Sequence, residues 1–304
     1  MKRREFIKNT IAGSTLVSFG GVPLSGFEES KLKHLTILHT NDVHSHIDPF
    51  PTNHPKYPNM GGVVNRAILI EKIKKENPNV LLLDAGDSFQ GTPYFNYYGG
   101  ELEFKLMSKM GYAATTIGNH EFDNGIEGLA AQMPHAKFAV LSANYDFRNT
   151  IMAPFVKPYK IFNKNGFKVG VFGLGVELAG LVDKKMYQET IYNDPVEISI
   201  DIVKKLKSEE QCDLIVCLSH LGYAYKNDPN KICDIKLASL TRHIDLIIGG
   251  HTHTFLEKPT VVKNLDNQDV LINQVGCYGI NLGRIDFYFS SDSSVASQGK
   301  SIIV

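Results

Sequence analysis

The 304-residue chain has no tryptophan, no excess of either charge and no paired-cysteine motif. Lysine plus arginine and aspartate plus glutamate number 32 each, with no long basic run, so the electrostatic footprint of a nucleic-acid binder is missing and nucleic acid is not expected as a partner. The four cysteines, Cys212, Cys217, Cys233 and Cys277, include no Cys-x-x-Cys pair and are too sparse for a disulfide scaffold. They read as small buried residues, although export would permit a pair of them to oxidise. Past the N-terminus no segment is long and apolar enough to span a membrane. Apolar residues, by contrast, make up 43% of the chain, enough for the core of one large α/β domain or two small ones.

The first residues are Met1-Lys2-Arg3-Arg4-Glu5-Phe6-Ile7-Lys8, followed by a mildly apolar stretch to about Leu24 that contains Gly13, Gly20 and Gly21. A positive start and a short, weakly hydrophobic segment resemble a twin-arginine export signal over residues 1–29, and predict an exported, periplasmic or cell-envelope protein. A basic amphipathic first helix is the alternative, which glycine at that density disfavours.

Apolar runs then recur, and several end in polar clusters. His34 to Thr40 is strand-like and leads into Asn41-Asp42-Val43-His44-Ser45-His46. A Pro- and Asn-rich loop over 48–60 follows, then a helix from about Gly61 stopped by Asn77-Pro78. Val80-Leu81-Leu82-Leu83 has the continuous hydrophobicity of a strand buried on both faces and ends in Asp84-Ala85-Gly86-Asp87. A helix over Glu101–Met110, closed by Gly111, precedes the Tyr112–Ile117 strand, which ends in Gly118-Asn119-His120-Glu121-Phe122-Asp123. Phe138–Leu141 reads as a fourth strand and Tyr159–Phe172 as a hairpin turning at Asn165-Gly166. Asp194-Pro195-Val196-Glu197 opens a helix to about Glu209. Leu214–Leu218 ends in Ser219-His220; a helix over about 231–242 leads to Ile244–Ile248, which ends in Gly249-Gly250-His251-Thr252-His253. Thr260–Phe289 is expected to form three antiparallel strands, and residues 290–304 a polar, Ser-rich tail.

Strands alternating with helices predict an α/β fold with a parallel sheet, in which five such strand ends share one edge. The pooled residues are Asp42, His44, Asp87, Asn119, His120, His220, His251 and His253. Each has an ordinary structural explanation: Asp42 and Asp87 as helix caps, His251 in a turn, His220 in the core. Five such coincidences at strand ends favour one site. Oxygen and imidazole donors without thiolate suit Zn, Mn or Fe(II). There are too many donors for one tetrahedral site, whereas two ions sharing a carboxylate would use seven of the eight and leave one imidazole spare.

These residues also carry a resemblance. The chain resembles the calcineurin-like metallophosphoesterase superfamily, and within it the catalytic, N-terminal domain of the 5′-nucleotidase / UDP-sugar hydrolase / 2′,3′-cyclic phosphodiesterase family. The match rests on Leu38 to His46, Gly86-Asp87 with Gln90-Gly91, Gly118 to Asp123, Ser219-His220 and Gly249 to Thr254, and spans essentially residues 33–289, within an expected catalytic domain of 30–289. It implies a four-layer sandwich of two mixed β-sheets flanked by helices. It also implies two divalent ions, the first held by Asp42, His44, Asp87 and His253 and the second by Asp87, Asn119, His220 and His251. Such a pair lowers the pKa of a bridging water, so that hydroxide attacks a phosphoester in line. His120 would stabilise the transition state or protonate the leaving oxygen, with Asp123 orienting its ring. Full-length nucleotidases carry a further C-terminal domain that binds the substrate, whereas this chain stops at Val304. The expected substrate is a small phosphomonoester, with 5′-nucleotides favoured by the resemblance; 2′,3′-cyclic nucleotides, nucleotide sugars, or a catalytic half or binding module that needs a separate chain supplying the missing domain are the alternatives.

Overall fold

A computed structural model describes residues 17–19, 33–164, 166–289 and 295–304. Most of the expected export signal, together with Asn165 of the expected hairpin turn, lies outside the described residues.

The described strands form two large mixed sheets and one two-stranded pair. The first sheet runs, in spatial order, Val17–Phe19, Val295–Ile303, Asn281–Phe289, Lys33–Thr40, Val80–Asp84, Ala114–Thr116, Ala139–Leu141 and Val156–Lys157. Its strands from Lys33–Thr40 onward are mutually parallel. The second sheet runs Thr260–Lys263, Asp269–Asn273, Leu246–Gly249, Leu214–Ser219, Phe167–Leu174 and Tyr159–Lys164, with its central strands parallel.

Side chains alternate across each strand, which is what stacks the layers. In Lys33–Thr40, Leu35 and Ile37 enter the core between the sheets while Leu38 packs toward the outer helices. Leu81 and Leu83 likewise face inward and Val80 and Leu82 outward. Leu214, Val216 and Leu218 meet the first sheet's residues, and Ile215 and Cys217 meet the helices beyond the second sheet. Burial on both faces explains why residues 80–83 and 214–218 read as unbroken apolar runs, whereas Lys33–Thr40 also buries Thr36 and His39. The outer layers include the Val63–Glu76 and Glu101–Met110 helices on one side and the Pro195–Lys204 and Asp234–Leu240 helices on the other. The result is the expected four-layer α/β sandwich.

Local signals hold at several ends. Asp194 accepts hydrogen bonds from the Val196 and Glu197 amides at 2.8 and 3.0 Å, with Pro195 in the first turn; Gly111 closes the Glu101–Met110 helix at a φ of 81°. All four cysteines are free and buried. No helix among the described residues is long and apolar enough to cross a membrane.

Three expectations are corrected. The five site strands do not share one sheet: those ending at Thr40, Asp84 and Thr116 belong to the first, and those ending at Ser219 and Gly249 to the second. Thr260–Phe289 holds the three expected strands, but they do not form one antiparallel set: Thr260–Lys263 and Asp269–Asn273 form a hairpin in the second sheet and Asn281–Phe289 crosses to the first. Of the polar tail, Val295–Ile303 is a strand antiparallel to Asn281–Phe289. Backbone pairing asks little of side-chain hydrophobicity, so a Ser- and Gln-bearing segment fills the position, with Gln298 donating to the Tyr288 hydroxyl at 2.9 Å.

Candidate metal centre

The carboxyl ends of the parallel strands in both sheets converge, and the polar clusters meet in the crevice beyond them. The connecting loops are bonded to one another: the Asp42 amide donates to Gly86 O at 2.9 Å, the His44 amide to Asp87 O at 3.0 Å and the Ser45 amide to Ser88 O at 2.9 Å. Asn41 extends this junction toward the second sheet, accepting from the Val275 amide at 2.9 Å and donating to Gly276 O at 2.6 Å.

Five donors take left-handed backbone conformations, Asp42, His44 and His253 at φ 50°, Asp87 at 53° and His251 at 71°. Non-glycine residues rarely adopt this conformation, and its concentration at one place marks strain held for a purpose. Close approach is enforced as well. A Cβ on Gly118 would lie 2.2 Å from Asp87 Oδ1, and one on Gly250 2.7 Å from His220 Nδ1 and 2.8 Å from Ala85 O.

Two donor groups result, Asp42 with His44 and His253, and Asp87 with His220 and His251. In the first, His44 Nε2 is 2.9 Å from His253 Nε2, and Asp42 Oδ1 is 3.4 Å from His253 Nε2 and 4.0 Å from His44 Nε2. In the second, His220 Nε2 is 2.9 Å from Asp87 Oδ2, and His251 Nδ1 is 2.9 Å from Asn119 Oδ1. Asp87 Oδ2 is also 4.0 Å from His44 Nε2, and Asp42 Oδ1 is 3.9 Å from His220 Nε2, so both carboxylates lie between the groups. Asp42, Asp87, His44 and His220 are buried; His251, His253 and His120 are partly open to solvent and form the accessible side.

The tautomers suit cation binding. His220 Nδ1 donates to Ala85 O at 2.6 Å and His44 Nδ1 to Phe89 O at 3.2 Å, turning each Nε2 lone pair toward the crevice. His220 Nε2 is fully buried without a well-formed hydrogen bond, despite its short distance to Asp87. An orphaned imidazole nitrogen among two carboxylates, an amide oxygen and three further imidazoles is a donor set fitted to divalent ions.

His120 joins neither group. Its amide donates to Asp87 Oδ1 at 2.9 Å, and its Nδ1 donates to Asp123 Oδ2 at 2.8 Å across a single 3-10 turn. That bond with Asp123, opposed by partial burial and helped by the Asp87 charge, holds the His120 pKa above its ordinary value. Its ring lies 5.2 Å from that of His44, at the rim of the first group.

Glu121, to which sequence reasoning gives no role, is the buried clamp of the centre. Its carboxylate accepts from the Gly118 amide at 2.7 Å, Asp87 at 2.9 Å, Ser88 at 2.7 Å and Phe89 at 3.3 Å, tying together the loops that carry Asp87 and Asn119. Gln274 does the same for the loop 250–254, accepting from the Thr254 amide and from Thr252 Oγ1. Glu121 lies inside a motif visible in sequence, but Gln274 follows a strand with no local signal.

The family comparison agrees with this geometry: residues 35–255 match the model of the calcineurin-like phosphoesterases. The chain belongs to that family. As a calcineurin-like phosphoesterase it is 33% identical over 302 residues to the trifunctional nucleotide phosphoesterase protein YfkN of Bacillus subtilis, covering 89% of this chain and 19% of that protein. It is 32% identical to the 5′-nucleotidase of Vibrio cholerae, covering 95% of this chain and 55% of the relative. Among solved structures, the 5′-nucleotidase precursor of Thermus thermophilus superposes with a TM-score of 0.81 at 34% identity, over 90% of this chain and 55% of that one. The phosphoesterase chain thus spans about half the length of the Vibrio and Thermus relatives and less of YfkN.

Behind the second group, Asp234 accepts from Ser219 Oγ through one carboxylate oxygen while the other is buried and unpartnered. Burial raises its pKa from 3.8 to about 8. A raised carboxyl favours folding fully below its unfolded pKa and loses that contribution as pH climbs toward the folded value. The thermal midpoint is therefore expected to decline between about pH 4 and pH 8 through this group, and Asp234→Asn, which keeps the acceptor and stays neutral, to flatten that slope in pH-resolved calorimetry. An unaltered slope in the variant would show that other groups carry it.

Proposed function

We propose that the chain is an exported, dinuclear-metal phosphoesterase acting on small phosphomonoesters, with 5′-nucleotides as its substrate class. The observation that carries this reading is the pair of donor groups with the Asp42 and Asp87 carboxylates between them, and the family resemblance favours Asp87 as the shared ligand. Asp42, His44, Asp87 and His253 would hold one ion, and Asp87, Asn119, His220 and His251 the other. When bound, two divalent ions neutralise charge on the phosphoryl oxygens and bring a water's pKa toward neutrality. The remaining work falls to the chain. His120 stands at the rim with its Nδ1 proton held by Asp123, which directs Nε2 toward a leaving oxygen and favours the protonated ring needed to deliver a proton there. Glu121, bonded to four loop amides, keeps Asp87 and Asn119 in register. Export rests on the N-terminal Lys2-Arg3-Arg4 sequence and its weakly apolar continuation.

Nucleotides are favoured because the relatives named above are a 5′-nucleotidase, a 5′-nucleotidase precursor and a nucleotide phosphoesterase. The name of the trifunctional relative speaks for more than one kind of nucleotide ester, and the second reading, taken from the family resemblance, is hydrolysis of 2′,3′-cyclic nucleotides or nucleotide sugars. Turnover of AMP, a 2′,3′-cyclic nucleotide and UDP-glucose by the metal-reconstituted chain separates these. Negligible AMP hydrolysis would remove the first reading, and brisk hydrolysis by the chain alone would exclude dependence on a separate substrate-binding chain.

Imidazoles bind metal only when neutral, so activity and bound metal are expected to fall together below about pH 6. A profile flat down to about pH 4.5, measured with metal content at each point, would contradict imidazole ligation.

A further inference from the structure

A chain of aromatic rings leaves the metal centre along one rim and ends at the surface. The Tyr278 ring lies 6.1 Å from that of His44 and 5.9 Å from that of His253. His46 is 4.3 Å from Tyr278, Phe50 is 5.1 Å from His46, and Tyr57 is 5.5 Å from Phe50. Phe255 closes the series, 6.3 Å from Tyr57 and within 24° of parallel. None of Phe50, Tyr57, Phe255 and Tyr278 belongs to the three apolar clusters of the core. Phe255 is 44% exposed, and Phe50, Tyr57 and Tyr278 are half-buried.

This surface is built. The loop 50–60 is closed by the Phe50 amide donating to Met60 O at 2.9 Å and the Asn59 amide to Phe50 O at 3.1 Å, while the Tyr57 amide donates to His54 Nδ1 at 2.9 Å. Phe255 rests on Gly276, where a Cβ would come within 2.2 Å of the ring, so only glycine there lets the ring lie flat. Phe255 is also two residues beyond His253, which ties the outer end of the series to the centre itself. An exposed aromatic surface continuous with a catalytic crevice is a place for a ligand's apolar part.

We propose that Tyr57 and Phe255, backed by Phe50 and Tyr278, form the leaving-group subsite, which binds a planar aromatic leaving group, such as the base of a nucleoside, by stacking. The proposal rests on the phosphoesterase reading for its connection to catalysis. It supplies substrate preference from within this domain: an ester held at the metal centre projects its leaving group over a rim, and this rim is paved with rings. Lys56, 5.0 Å from the Tyr57 ring centroid, adds a positive charge to the same edge.

Two measurements on the full chain test it. With Mn2+ bound, the ratio of kcat/KM for AMP to that for glycerol 3-phosphate, an alkyl ester, is expected to fall about tenfold in Phe255→Ala and in Tyr57→Ala, the loss of one base–aromatic stack. The change should lie in KM, and Phe255→Tyr should restore the ratio. Saturation-transfer NMR of adenosine, which has no phosphate, reads the subsite on metal-free protein without any hydrolysis: the wild type is expected to give a signal that the double alanine variant loses. An unchanged ratio, or an adenosine signal that survives the double substitution, overturns the subsite. Hydrolysis of neither ester by the wild type, with the adenosine signal still lost on substitution, overturns the phosphoesterase reading and upholds the stacking platform.

Discussion

Asp87→Asn is expected to abolish phosphoester hydrolysis and to leave the chain unable to retain two metal ions. Its carboxylate stands 2.9 Å from His220 Nε2 in one donor group and 4.0 Å from His44 Nε2 in the other, so a single substitution removes charge from both. The asparagine is nearly isosteric and retains the amide that bonds Glu121, so the fold should persist. What is lost is an anionic donor facing several imidazoles, and with it several kcal/mol of charge stabilisation, or on the order of a thousandfold or more in kcat/KM. Elemental analysis after dialysis should show at most one ion per chain, with the circular dichroism spectrum unchanged. Two tightly held ions in the variant would refute Asp87 as the shared ligand.

The second large effect is expected at His120, and its signature differs. His120→Ala should keep both ions, because neither donor group contains this ring, yet reduce AMP turnover by about 10²–10⁴-fold, as removal of a general acid does. The loss should be much smaller with p-nitrophenyl phosphate, whose leaving oxygen departs without needing a proton. Asp123→Asn should fall between, since the Asp123 bond at 2.8 Å orients the ring and raises its pKa. Equal losses on both esters would contradict proton delivery and point to transition-state stabilisation instead. A fall in metal content would contradict the separation of His120 from the ligands.

Much of this arrangement is legible before any coordinates, for a physical reason. A strand buried on both faces is largely apolar, as Val80–Asp84 and Leu214–Ser219 are, so a cluster of Asp, Asn or His at its end stands out locally. Asp42, His44, Asp87, Asn119, His220, His251 and His253 are all found that way. Caps and breakers such as Asp194-Pro195 and Gly111 act within a single turn and are equally readable.

Other features depend on partners far away along the chain. That Glu121 accepts from Asp87 and Ser88, or that Asn41 bonds Val275 and Gly276, follows from which loops are brought together. The strand Val295–Ile303 looks like a polar tail because its place in the sheet comes from backbone pairing with Asn281–Phe289, while its apolar contacts come from residues near its ends, Val295 and Ile302. The Pro- and Asn-rich loop 48–60 reads only as a connection, and its rings acquire meaning through Tyr278 and Phe255, which lie far along the chain.

By itself, then, the sequence determined which candidate donors exist, that cysteine is not among them, and that strand ends deliver them. Only the tertiary structure decided how they are divided. Strands ending at Thr40, Asp84 and Thr116 lie in one sheet and those ending at Ser219 and Gly249 in another, so the two donor groups are assembled across the seam between sheets. Local patterning reports whether a strand is buried, but the sheet it joins is chosen by packing between distant segments, and no local pattern encodes that choice.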